Sequence, residues 1–343
     1  MKYFYKIVLI IIFFEIKMVL KFYNILILII FFLLSNTKRL INKQKKIINI
    51  AFPVNNNYIN LIYISLVSLL ENSDKYTIYN IYIQIGGHFT KSNAELLSNL
   101  EKIYFNCFIY LINMHSDFSN AVKGKLDIST YYRLKLPNLC PKLNRIIHID
   151  SDTLILKDLT ELYTLNFEGK YILGRLDILV DELDSLGVYT NTYINCGILL
   201  IDLYSLRKYN YVDKFLEYIR IHNNYRYLNH HDQTLINFVC HDKIGILRPK
   251  FHMWPFKDEK EVLSTNKKFR IRYDEKEFIK DYNDPVIIHY PGYNKNKIKY
   301  KSTYNDEYYK YSRIAEERKN NIKFGFFKTI IDYIKHFFQK ITF

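Results

Sequence analysis

Residues 145–156, RIIHIDSDTLIL, decide how the rest of the chain is read. Ile146, Ile147 and Ile149 predict a short buried strand that ends on two carboxylates one residue apart, Asp150 and Asp152. In a parallel α/β sheet that end is the carboxyl edge, where ligands bind. Side chains two apart on an extended strand point the same way, so Asp150 and Asp152 can converge on one hard cation, or grip its ligands if the chain turns. An isolated D-x-D is more often a solvated loop with two acids, and the strand-like lead-in is what argues otherwise here.

Upstream, Ile47–Phe52 reads as a first strand, residues 55–57 as the polar turn at its carboxyl end, and Tyr58–Leu70 as an apolar helix. No G-x-G-x-x-G accompanies this βα unit, which excludes a dinucleotide fingerprint. Strands over Thr77–Ile85 and Phe108–Ile112, with a helix over Ser92–Ile103 between them, continue an alternation that favours a mostly parallel sheet with helices on both faces. Ser129 is expected to cap a helix ended by Pro137, with Arg133 inside it as a surface residue or a phosphate clamp.

Downstream of the D-x-D, Lys157–Leu162 reads as a short helix, and YILGRLD sets Asp177 just after a strand. A buried strand is predicted over Tyr193–Leu203, where Gly197 suggests a close backbone approach and Asn195 a polar group aimed at something bound. LNHHDQTLINFV places His230, His231, Asp232 and Gln233 at the start of an apolar helix; adjacent histidines face different ways, which argues against an H-x-x-x-H metal site. DPVIIHYPGYNKNK ends a further strand on His289, followed by Gly292 and Lys295. A third metal ligand is what the two aspartates lack.

The chain has 343 residues, which can hold one large domain or two small ones, and 49% of them are hydrophobic, ample for a packed core. Its formal net charge of +15 suggests an anionic partner: nucleic acid, a phospholipid surface or a phosphorylated small molecule. The four cysteines, Cys107, Cys140, Cys196 and Cys240, show no zinc spacing. Apolar runs at residues 7–14 and 22–34 are read as a retained signal anchor over 1–36, since no small-residue cleavage site follows Leu34, with 37–46 as a basic stem. The expected location is membrane-associated through this single pass: Golgi or ER in a eukaryote, inner membrane in a bacterium. Residues 301–343 read as a helical region whose tail, FGFFKTIIDYIKHFFQKITF, is a basic amphipathic helix suited to an anionic membrane, a core-docked helix being the competing reading.

Taken in order, PVNNNY, YYRLKL, IDSD, NCGILLIDL, HHDQTLIN and HYPGYNK resemble glycosyltransferase family 8, the retaining enzymes of GT-A fold that include lipopolysaccharide galactosyl- and glucosyltransferases and glycogenin. The resemblance covers about Ile47–Lys295 and implies a catalytic domain over 47–300. It implies a UDP-glucose or UDP-galactose donor, a glycan, glycolipid or glycoprotein acceptor, and Mn2+, with Mg2+ as the alternative. Asp150, Asp152 and His289 would hold the metal, a set whose imidazole suits Mn2+ better than Mg2+. By motif match, Pro53, Asn55 and Asn57 fall at the nucleoside, Arg133, Ser151 and Asp177 near the donor, and Gly292 and Lys295 at the diphosphate. Asn195, Asp232 and Gln233 would line the donor sugar. Gln233 is a poor nucleophile, so retention is expected by front-face transfer, with Gln233 stabilising the anomeric centre and Asp232 binding sugar hydroxyls.

Two other classes meet the same residues. A D-x-D phosphatase would want Thr or Val where Leu154 stands. A basic nucleic-acid-binding protein would want a recognition motif that the charge here lacks.

Overall fold

The chain forms strands β1 (Lys46–Val54), β2 (Thr77–Ile85), β3 (Cys107–Asn113), β4 (Arg145–Ile149), β5 (Thr153–Ile155), β6 (Ile172–Leu176), β7 (Ile194–Asp202), β8 (Ile244–Ile246) and β9 (Ile287–His289). This computed structural model describes residues 45–86, 88–114, 128–221, 231–291 and 302–324. Seven strands make one sheet in the order β3-β2-β1-β4-β7-β6-β8, and β5 pairs with β9 in a second, two-stranded sheet. The pairs β1–β4, β2–β3 and β6–β8 are parallel, whereas β7 runs antiparallel to both its neighbours, β4 and β6. This is the mostly parallel α/β sheet with helices around it that the alternation of elements predicts.

Period-two alternation divides the sheet between two cores. Ile48, Ile50, Phe52, Ile147 and Ile149 pack with the Ile59–Glu71 helix. Ala51, Ile146, Leu199 and Ile201 face the opposite way, towards Leu136, Leu203, Phe215 and Leu235. Beneath β5 and β9 a third cluster gathers aromatic residues, among them Phe256, Phe269, Phe278 and Tyr290.

Two expected helices take another form. The segment around Arg133 is a 3-10 helix, Ile128–Lys135, running into a short helix, Leu136–Leu139. Pro137 therefore opens a helix instead of ending one, because at a first turn its missing N–H would have had no partner. The Ser92–Ile103 reading divides into a helix over Lys91–Ser98, capped by Thr90, and a 3-10 turn over Asn99–Lys102.

The membrane expectation is corrected. Among the described residues no helix is long and apolar enough to cross a membrane. The apolar Ile59–Glu71 helix has 13 residues, about 20 Å against the ~30 Å of a bilayer core, and its apolar face is spent on the protein core. The Asn305–Phe324 helix has 20 residues but carries Asp306, Glu307, Lys310, Arg313 and Glu316. The expected anchor and nearly all of the stem (1–44), His230, Gly292, Lys295 and the tail at 325–343 lie outside the described residues.

Candidate active site

The site is built where β7 leaves its ladder. Gly174 of β6 pairs with Leu199 but the next residue, Arg175, pairs with Asn195, so Cys196, Gly197 and Ile198 have no partner on β6. Backbone groups freed from a ladder must find other partners. Cys196 O accepts from the Arg133 guanidinium, while Gly197 O, on the other edge of β7, continues the pairing with β4 and accepts from Asp150 N at 2.7 Å. Cys196 N donates to Gln233 Oε1 at 3.1 Å, and Gly197 N to Asn195 Oδ1 at 2.9 Å. One irregularity thus ties the D-x-D turn to the residues expected to line a sugar.

The small sheet supplies the rest. Thr153 of β5 lies opposite His289 of β9, and Tyr290 N donates to Asp152 O at 2.9 Å. His289 Nε2 lies 3.2 Å from Asp152 Oδ1 and 3.9 Å from Asp150 Oδ2. One ligand atom from each of Asp150, Asp152 and His289 falls within 4.8 Å of the others, a spacing one divalent cation can span. The donor set fits such an ion: two carboxylates and one imidazole, with Asp150 the most exposed of the three. Gly197 is required beside it, since a Cβ there would lie 2.2 Å from His289 Cε1. The close approach expected at Gly197 is made by His289.

Charge is balanced behind the carboxylates. Arg133, buried, places Nη2 2.8 Å from Asp150 Oδ1 and Nε 3.0 Å from Asp232 Oδ2. Burial opposes ionisation of Asp150, but Arg133 and then the His148 and His289 imidazoles override it and hold the carboxyl at about 2. Asp232 is pushed up to about 6 by burial, which Arg133 only partly offsets. His148 Nε2 lies 3.2 Å from Asp150 Oδ1, and burial together with Arg133 brings this imidazole down to about 4.

Asp177 Oδ2 accepts from Asn195 Nδ2 at 2.8 Å and from Gln233 Nε2 at 3.4 Å, which joins the two expected sugar-side amides. Ser151 donates to Pro53 O at 2.6 Å and so fastens the D-x-D turn to the end of β1. Asn55 accepts from Asn57 N at 2.9 Å and caps the turn after β1, leaving Asn57 exposed. Asn56 is taken up by Thr90 N and Asn93 Nδ2. Among the described residues the hydrogen bonds of Asn55 and Asn57 stay within this turn. Sequence reasoning missed two buried histidines here, His148 and His252. For His148 a signal existed, its place two residues before Asp150 on the same strand.

A mostly parallel sheet thus carries a D-x-D turn at its carboxyl edge, closed by a histidine from a second sheet. Glycosyl transferase family 8 matches residues 49–296, and the chain belongs to that family. A putative glycosyltransferase of Haemophilus influenzae is 27% identical over 60% of this chain and 63% of its own length, so the chain spans under two thirds of that relative. The lipopolysaccharide 1,2-glucosyltransferase of Escherichia coli is 27% identical over 74% of each protein. In fold, the chain is similar to the galactosyltransferase LgtC in complex with donor and acceptor sugar analogues, with a TM-score of 0.63 at 18% identity over 78% of this chain and 95% of that one. Family membership supports the glycosyltransferase reading over the phosphatase one.

Proposed function

We propose that this glycosyltransferase is a retaining hexosyltransferase that moves glucose or galactose from its UDP-sugar to a glycan, glycolipid or glycoprotein acceptor. The observation that carries the reading is the convergence of Asp150, Asp152 and His289, with Arg133 holding the first carboxylate ionised. Mn2+ is the cation best suited to two carboxylates and an imidazole. Bound there, it would neutralise the charge that develops on the departing diphosphate. The E. coli relative, a glucosyltransferase by name, and LgtC, a galactosyltransferase, support a hexose.

The residues around that cation divide the remaining work. Asn195 and Gln233 keep part of their surface open and are assigned to the donor sugar. Asp177 holds both amides, and Asp232 holds Arg133, so each carboxylate near the sugar side is already buried and engaged. A buried, engaged carboxylate is a poor nucleophile, which favours front-face transfer, in which the leaving phosphate takes the acceptor's proton. Asn57 at the turn after β1 is assigned to the nucleoside, with Pro53 and Asn55 shaping that turn. Gly292 and Lys295 are assigned to the diphosphate on the HYPGYNK motif alone.

The test is product analysis after incubation with labelled UDP-glucose or UDP-galactose and an acceptor array, with Mn2+ or with chelator. An α-linked hexose made only with the metal is expected. A β-linked product sinks retention, and turnover that persists in chelator sinks the metal.

A further inference from the structure

The stretch FHMWPF, residues 251–256, brings to the site a histidine with no role so far. His252 is wholly buried, and its Nε2 lies 2.8 Å from Nδ1 of His289. The ring centroids are 4.9 Å apart and the planes tilted by 44°, so the rings meet through their nitrogens. The backbone sets this meeting: His289 N donates to Met253 O at 2.8 Å, and Met253 bridges Ile288 of β9. Gly197 closes another side of the His289 ring. Nε2 is then the His289 nitrogen that faces Asp150 and Asp152.

We propose that His252 is the positioning residue of the cation site: its Nε2 accepts the Nδ1–H of His289 and so keeps the His289 Nε2 lone pair directed between Asp150 and Asp152. The inference rests on reading those three residues as cation ligands. A neutral imidazole carries one proton, and with that proton on Nε2 it has no electron pair to give a cation. A partner that accepts at Nδ1 selects the useful tautomer and fixes the ring plane. His252 can accept at Nε2 only with its own proton on Nδ1; that nitrogen meets no hydrogen-bond partner among the described residues, so the contact with His289 is the one that sets the His252 tautomer. Arg175 is wholly buried, its guanidinium 4.0 Å from the Trp254 ring centroid.

A carboxylate is a common partner for a ligating histidine. Placed at position 252 it would add a third negative charge behind Asp150 and Asp152. The imidazole supplies direction without that charge.

The experiment measures Mn2+ affinity of the full chain by electron paramagnetic resonance, without any sugar nucleotide, for the wild type, His252→Gln and His252→Leu. Gln sets a carbonyl oxygen near the place of Nε2 and can accept; Leu fills space and cannot. The Leu variant is expected to bind Mn2+ roughly 10- to 100-fold more weakly, with Gln close to the wild type. Equal affinity of Leu and wild type overturns the proposal, as does equal loss in Leu and Gln. If the Leu variant does not fold, the imidazole 15N spectrum of the Mg2+-loaded wild type decides through His252: a proton on its Nδ1 with Nε2 accepting from His289 supports the proposal, and a proton on its Nε2 overturns it. A wild type that binds no Mn2+ removes the cation reading and this inference together, a result distinct from the failure of a variant.

Discussion

Around β1, β2 and the Ile59–Glu71 helix the interior is largely apolar, and several of its buried polar groups are closed by near neighbours: Ser68 donates to Ser65 O at 2.7 Å, and Ser65 Oγ meets Thr153 Oγ1 at 2.8 Å. Where β4, β7 and β9 meet, Arg133, His148, Asp232, His252 and His289 are all buried within one neighbourhood. Burying charge is costly unless it is paired, and replacing such a cluster by apolar groups is often neutral or stabilising. The first region is what folding alone requires. The second makes physical sense as a place prepared for a ligand that brings positive charge to Asp150 and Asp152.

That contrast predicts graded effects. Asp152→Asn keeps the side-chain shape and removes one charge from the cation site, so metal-dependent turnover of UDP-sugar should fall by about a thousandfold or more while thermal unfolding barely moves. Full turnover by this variant in chelator would erase the difference between the regions. Gly197→Ala comes next: its new Cβ would displace a ring atom now 2.2 Å from that point, and Mn2+ binding should weaken by roughly 10- to 100-fold. Calorimetric titration with Mn2+ would read this, and wild-type affinity would mean that the ring has room to move.

A smaller effect concerns pH. Asp232 has its folded pKa, about 6, above the usual carboxylate value, so its ionised form costs the fold stability above about 6 and that cost is relieved as pH falls towards 3.8. Its pairing with Arg133 works the other way for function, because only the carboxylate form pairs. The rate of UDP-sugar turnover should therefore drop several-fold as pH falls through about 6, and Asp232→Asn should lack that limb. An acid limb unchanged in the variant would assign it to another group. The smallest effect belongs to the apolar region: Arg318 Nη2 meets Glu71 Oε1 at 2.8 Å and joins the Asn305–Phe324 helix to the core, and Arg318→Ala should cost under about 1 kcal/mol of unfolding free energy with no change in turnover. A loss of turnover in this variant would show that the two regions are coupled.

Much of this was legible before any coordinates. The apolar runs at β1, β2, β4, β7 and β9, the D-x-D after Ile149, the interruption at Gly197 and the histidine ending β9 are patterns of neighbours in the chain, and strand periodicity acts on neighbours. His252 was not legible, because its partner His289 stands 37 residues away and a buried histidine in an aromatic stretch has no local mark. Nor was the task of Asn55 and Asn56, whose side chains cap and brace the turn after β1, nor the position of Pro137 at the start of a helix. By itself the sequence determined the main strands of the large sheet, the family resemblance and the candidate ligands, since each follows from local pattern and residue chemistry. Only the tertiary structure decided which side chains meet, that Gly197 makes room for His289 and that Arg133 is shared by Asp150 and Asp232, because those contacts depend on two strand pairs, β4 with β7 and β5 with β9, that join distant stretches of chain.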